Sequence, residues 1–462
     1  MNLSAQIRDL SRIKLQYFQL TAQSGRCKKN IMPSRIAIFH NLPHGGALRA
    51  LYEIIAHFPP GYRFDLYLID NSPFSQTSDE IVAGGTASLD LSVLAESTFV
   101  YKFPNYIMAL SRLAPGSLQK LIAIEASRKL QQRIARDINK LGYDACFIHA
   151  CRYSFSVPIA QWLKIPSVYF AQETKRIYYE SSVILKLRLE NSRWASMRWI
   201  LEKPYRVLDR RRDRVAVKSA DLILCNSEYS KRELSAAYQV NPTLCYLGIS
   251  PETFSNVLVD DSNLKNQRNG IISVISVGAL DRIKGHDLAV SALGEASRES
   301  KLEAELTIVF ERETSGYRGY LTDLAARNRV KLDFQKGISD QDLARRYLLA
   351  DLVICAAYSE PFGLTVNEAF SCGTPVVAVD EGGYLETVKD GYNGFLVKRD
   401  PMEMARAIIK VKNGELGISP QELREETLKH WSWDQTASNV AKSFESIIKK
   451  FQDGSGKTEL IQ

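Results

Sequence analysis

Ser359-Glu360-Pro361-Phe362-Gly363-Leu364-Thr365-Val366-Asn367-Glu368 is the stretch that decides the fold of this chain. The apolar run Asp351-Leu352-Val353-Ile354-Cys355 before it reads as a buried strand, and Val376-Val377-Ala378-Val379 after it reads as the next one. Between them the Pro-Phe-Gly turn opens a short helix ending in Ser371-Cys372-Gly373-Thr374-Pro375. Strand, loop, helix and strand describe a parallel sheet, whose ligands bind beyond the carboxyl ends of its strands. Glu360 is then expected in the loop before the helix and Glu368 within its first turn, so both carboxylates address one ligand. The amides of Gly363, Leu364 and Thr365, unpartnered at the helix start, suit an anion such as phosphate. An acid in a first helical turn also complements the helix dipole with no ligand present. Spacing by itself leaves both readings open.

Working outward, two series of apolar runs are separated by helical patterns. The first comprises 36–39, 64–69, 145–148, 167–170 and 222–225, with helices expected at 47–58 and 118–141; the second comprises 272–277, 306–310, 331–334 and the strand before Glu360. Such spacing argues an α/β fold with two parallel sheets. Ser227 and Ser339 each read as a helix start. The polar stretch 250–270 reads as a linker. The expected domains are a basic extension (1–33), a Rossmann-like domain (34–249), the linker, a second Rossmann-like domain (271–430), a final helix (431–451) and a polar tail (452–462).

Composition narrows the function. The chain of 462 residues is 45% apolar and 24% charged, the balance of a soluble globular protein. No apolar run reaches the length of a spanning helix, and residues 1–33 lack the apolar core of a secretory signal. Seven scattered cysteines without a CxxC pair point to buried thiols in a reducing compartment, so a cytoplasmic location is expected. Six dispersed histidines and no acidic metal-binding motif leave no metal site to propose, and His149, ending a strand, reads as a core or capped histidine. The net charge of +8 is concentrated in residues 1–30 and in a cluster from Lys203 to Lys218. No zinc-finger or RNA-recognition signature accompanies these cations, so nucleic acid is not the expected partner. An anionic or lipid-linked acceptor and peripheral contact at the inner face of a membrane fit them better, beside the plain reading of a solvated helix face.

Glu360 to Glu368 resembles the Glu-x7-Glu motif of retaining nucleotide-sugar glycosyltransferases of the GT-B fold, most closely family four. Gly382-Gly383-Tyr384-Leu385-Glu386 and Asp390-Gly391-Tyr392-Asn393-Gly394-Phe395-Leu396-Val397 are similar to the segment that follows in that family. The resemblance implies two Rossmann-like domains facing across a cleft, with the last helix crossing back to the first domain near Trp431-Ser432-Trp433-Asp434. It also implies a donor that is a nucleotide diphosphate sugar, a carbohydrate or lipid-linked acceptor, no cofactor and no metal. Gly278-Ala279-Leu280-Asp281-Arg282-Ile283-Lys284-Gly285 resembles the family's diphosphate-binding segment. Lys284 matches its lysine, Ala279 stands where its arginine would be, and Arg282 is expected to supply the missing charge. Pro43-His44-Gly45-Gly46 is similar to the family's glycine loop near donor phosphate and acceptor, and Gln172 stands where many members place a sugar-contacting histidine.

The resemblance therefore implies Glu360, Lys284 and Arg282 as the catalytic set. Glu368, Phe362, Gly363, Leu364, Thr365, Gly45, Gly46 and Gln172 form the donor-binding set. Two readings compete with hexose transfer in glycan, glycolipid or polysaccharide synthesis. A GT-B sugar-nucleotide epimerase needs an acid/base pair that no segment supplies convincingly. A non-enzymatic sugar-nucleotide-binding subunit is suggested by Ala279 and Gln172.

Overall fold

The computed structural model describes residues 34–454 apart from 44, 71–89, 105–106, 108–115, 153–154, 180–202, 255–270 and 302. The basic extension 1–33, His44, Cys27 and most of the expected linker lie outside the described residues. A first sheet has seven parallel strands: β1 (Ser34–Asn41), β2 (Tyr62–Ile69), β3 (Ser97–Tyr101), β4 (Ala145–Cys151), β5 (Ser167–Ala171), β6 (Leu222–Cys225) and β7 (Thr243–Leu244), in the order β3-β2-β1-β4-β5-β6-β7. A second has six: β8 (Ile271–Val277), β9 (Glu303–Phe310), β10 (Val330–Lys336), β11 (Leu352–Cys355), β12 (Val376–Val379) and β13 (Gly394–Val397), in the order β10-β9-β8-β11-β12-β13. All are parallel, and each sheet has a helical layer on its faces, so the α/β expectation with two Rossmann-like lobes is met.

In both sheets the strand order reverses once, between β1 and β4 and between β8 and β11. Neighbouring loops diverge at such a point and leave a crevice. The Gly45-Gly46 loop follows β1, the Lys284 loop follows β8 and the Glu360 loop follows β11. These three expected contact loops thus begin at switch points, whereas Gln172 follows β5, one strand away from the reversal.

Strands β11 and β12 are buried along their whole length. Covered on both faces, they carry continuous apolar runs where a half-exposed strand would alternate. Strand β3 was not expected from the sequence. It is an edge strand whose first four residues, Ser97, Thr98, Phe99 and Val100, are exposed, so it lacks the apolar signature of its neighbours. Two-residue β7 is too short to leave a periodic signal. The helix Pro420–His430 was also not singled out, although Ser419 and Glu422 form a capping box with proline at the first helical position. Within the expected linker, Pro251–Phe254 forms a helical turn and Phe254 is buried in the core of the second sheet.

The C-terminal helix (Trp433–Gln452) packs on the first sheet. Trp433, Val440, Phe444 and Ile447 share one buried cluster with Ile36, Ile38, Phe147 and Phe170. The entry to this helix is tied down by the Ile249 amide, which donates to Trp431 O at 3.0 Å. Phe362, carried by the loop after β11, is 2% exposed and belongs to the same cluster, so the two lobes share apolar surface beside the expected site. The six described cysteines are all buried and unpaired with one another. No described helix is long and apolar enough to cross a membrane.

Candidate active site

The loop after β11 is shaped by two backbone features. Ser359 has φ 48°, a left-handed conformation a non-glycine residue adopts only when its surroundings hold it. Gly382 and Gly383 then pack directly on the loop. The Gly383 amide donates to Glu360 O at 2.8 Å, and a Cβ on Gly383 would lie 2.6 Å from Phe362 Cα. Arg399 braces the other side, donating to Ala356 O at 2.7 Å and Ala357 O at 3.2 Å while pairing with both oxygens of Glu381. Its guanidinium lies 3.5 Å from the centre of the Tyr358 ring. A rigid loop is what a side chain needs to be held ready for a ligand.

Lys284 closes a short helical turn, Arg282–Lys284, that Asp281 caps by accepting from the Ile283 amide at 2.9 Å. The Tyr358 amide donates to Ile283 O at 2.8 Å, which stitches the β8 and β11 loops together. That stitch brings Lys284 Nζ within 2.8 Å of Glu360 Oε2. Burial acts to raise the Glu360 carboxyl, but Lys284 and, from the first lobe, Arg176 outweigh it and hold Glu360 below the usual glutamate value. Glu360 is therefore ionised at neutral pH. Lys284 Nζ has three donors, so the pair leaves it able to meet a further anion.

The helix expected between the acids runs from Leu364 to Ser371. Glu368 is its fifth residue and stands in the second turn, one turn later than the sequence suggested. The helix-dipole reading of Glu368 loses its basis with that shift, since the dipole acts within the first turn. Gly363 has φ +85°, and a Cβ there would approach the Tyr384 ring to 2.8 Å. Glycine is required at this entry on both counts. The Leu364 and Thr365 amides have no carbonyl one turn back within the helix and suit an anion.

Glu368 is 6% exposed. Its Oε2 accepts from the Tyr347 hydroxyl at 2.9 Å and its Oε1 from Arg49 Nη1 at 2.9 Å. Burial raises its carboxyl above the usual value, with Arg49 and Tyr347 opposing. Arg49 lies on the helix Gly46–Ala56 of the first lobe and also pairs with Asp340, so the contact spans the cleft. Sequence reasoning missed Arg49 and Tyr347. The signal available was Arg49 three residues after the Gly45-Gly46 loop, and nothing local ties it to residues 291 and 319 positions away.

The other expected contacts fall differently. Gly46 faces Leu364, whose Cδ1 would lie 3.5 Å from a Cβ there, so the glycine loop does meet the helix that carries Glu368. Gly45 has φ +141°, and a Cβ there would meet nothing within 4 Å. Gln172 Nε2 donates to Ala47 O at 3.4 Å beside the same loop. Arg282 is placed with its guanidinium 4.7 Å from the Tyr320 ring centre and 5.9 Å from that of Tyr317, while Lys284 is the cation brought to Glu360. Position 279 is engaged by its backbone: the Ala279 carbonyl lies 3.1 Å from Nε2 of fully buried His286, whose pKa is lowered by burial to about 4. His149 is a core histidine, 1% exposed and kept neutral by burial. Among the described residues no group of His, Cys, Asp or Glu could hold a metal ion.

Comparison with known proteins places these features in context. Residues 261–430 match the family model described as glycosyl transferases group 1. The D-inositol 3-phosphate glycosyltransferase of Salinispora arenicola is 29% identical over 255 residues, 51% of this chain and 57% of that protein. An uncharacterized glycosyltransferase of Methanocaldococcus jannaschii is 26% identical over 234 residues, 50% of this chain and 61% of that protein. The chain thus spans less than two thirds of the length of these curated relatives. Among solved structures, Anabaena HepE in complex with UDP and glucose superposes with a TM-score of 0.62 at 18% identity, covering 90% of this chain and 100% of that one. Sucrose-phosphate synthase from Thermosynechococcus elongatus gives 0.65 at 17% identity, covering 90% and 99%. The fold of the chain is GT-B.

Proposed function

We propose that this protein is a retaining, metal-independent glycosyltransferase that moves a hexose from a nucleotide diphosphate sugar to an acceptor hydroxyl. The observation that carries the reading is the Lys284–Glu360 pair at the second sheet's switch point, beside helix-start amides, in the segment that matches the glycosyltransferase family. The solved relatives include HepE with UDP and glucose, which favours a sugar nucleotide as donor.

In this reading Glu368 accepts hydrogen bonds from the ribose hydroxyls. Lys284 and the amides of Gly363, Leu364 and Thr365 stabilise the diphosphate as charge builds on it. Glu360 accepts from sugar hydroxyls and orients the anomeric carbon. The bond from that carbon to the phosphate oxygen breaks, the acceptor oxygen bonds on the same face, and the acceptor's proton passes to the departing phosphate. No separate protein base is required. Gln172, without a titratable proton, can position the sugar but not act as acid or base.

The acceptor is read as carbohydrate or lipid-linked, with the enzyme cytoplasmic and at a membrane face. The support is the helix Lys203–Lys218, which exposes Val207, Leu208 and Val215 beside Arg210 and Arg211. The test is a panel of uridine, guanosine and adenosine diphosphate hexoses incubated with purified protein. One donor should bind and release nucleoside diphosphate slowly without acceptor. Binding without any turnover, with or without acceptor, would favour the non-enzymatic subunit instead.

A further inference from the structure

Arg49 is the one site contact supplied to Glu368 from the opposite lobe among the described residues. It is rooted in the helix that follows the glycine loop, where its amide bonds Gly45 O at 3.1 Å. Its guanidinium takes two carboxylates of the second lobe at once, Glu368 through Nη1 and Asp340 through Nη2. The Phe254 ring lies 6.0 Å away, and the arginine side chain keeps only 18% of its exposure. Asp340 opens the helix Asp340–Leu349, which also carries Tyr347, the second partner of Glu368.

We propose that Arg49 is a gate: a clasp between the lobes that occupies the nucleoside end of the donor site and must be released for nucleotide to bind. The inference rests on the donor-site reading given above. Of the roughly four acceptor sites on an ionised carboxylate, Arg49 takes one on Oε1 and the Tyr347 hydroxyl one on Oε2, so a vicinal diol has to share both oxygens with groups already bound. Ribose hydroxyls reaching Glu368 therefore compete with Nη1 for Oε1. Because Arg49 belongs to the other lobe, yielding that oxygen also loosens the lobe–lobe contact, so clasp release and nucleotide entry are one coupled event. Asp340 holds the guanidinium at the entrance and gives it somewhere to remain while Oε1 is taken.

The experiment compares wild type with Arg49→Gln, Arg49→Ala and Asp340→Asn in two readouts. One is the radius of gyration of ligand-free protein in solution scattering. The other is the dissociation constant for UDP, GDP and ADP. The gate predicts a larger radius for the Arg49 variants and nucleotide binding tighter by about fivefold or more, with Asp340→Asn between them and wild type. Weaker nucleotide binding in the Arg49 variants would overturn it, because Arg49 would then be assisting Glu368. A lower melting temperature with radius and affinity unchanged would overturn it equally, as that is a purely structural ion pair. If the radius grows but no protein binds any of the three nucleotides, the donor site of the preceding section is wrong while the clasp stands.

Discussion

Glu360 and Glu368 are eight positions apart in the sequence and live in opposite electrostatic settings. Lys284 and Arg176 hold Glu360 below the ordinary carboxylate value of 4.5, whereas burial raises Glu368 above it. On acidification Glu368 takes its proton first, so nucleotide affinity should fall at a higher pH than the Glu360–Lys284 pair is lost, as parallel pH titrations of binding and turnover on both sides of 4.5 would show. The stabilisation from Glu360, whose folded value is depressed, is present above 4.5 and disappears only as pH drops through its lower folded value. Substitutions should separate the roles further. Glu368→Ala should weaken nucleotide binding by about tenfold or more, the scale of a lost charged hydrogen bond. Lys284→Ala should lower kcat by about 10²- to 10³-fold, and Glu360→Ala should lower kcat more than nucleotide affinity. At this scale the motif residues were legible because their chemistry is local to one loop and one helix. Arg49 and Tyr347 were not, since only tertiary placement brings them to Glu368.

Helix ends and glycines carry the fit between elements. The helix Glu228–Tyr238 is capped locally by Ser227, as its sequence suggested, and also by Glu386 of the other lobe, which accepts from the Glu228 and Tyr229 amides at 2.8 Å each. Glu386→Ala should cost about 1 kcal/mol, the usual value of a cap, seen as a lower urea midpoint, and Glu386→Gln less because an acceptor remains. Gly363→Ala should cost about 1–3 kcal/mol through backbone strain, before any clash with Tyr384 is counted, and should weaken nucleotide binding by moving the helix start. Buried strands such as β11 and β12 could be read directly from their apolar runs. The exposed edge strand β3 could not, and the Pro420–His430 helix was legible through its capping box but overlooked. The sequence placed Glu368 a turn too early: with Gly363 as the cap, Leu364 is the first helical residue and Glu368 the fifth, past the first turn.

Across the whole molecule, two lobes are bound together by the helix Trp433–Gln452 and by Phe362 from the loop after β11. Phe444 is fully buried against Phe58 and Phe147, so Phe444→Ala should cost about 3–5 kcal/mol in chemical denaturation. Two α/β lobes and their order followed from the spacing of apolar runs. Their closeness did not, because Phe362 in the Tyr246 and Trp431 cage and Arg49 on Glu368 are long-range contacts. The central claim is that the cleft between these lobes activates a sugar nucleotide through the Lys284–Glu360 pair. Its most direct test is nucleoside diphosphate release from the uridine, guanosine and adenosine diphosphate hexoses by wild type and Glu360→Ala, with the anomeric configuration of any transferred sugar read by NMR. The account predicts release from one donor class, retained configuration, and loss of release in Glu360→Ala with nucleotide binding kept. No release from any donor, or equal release by the variant, would contradict it.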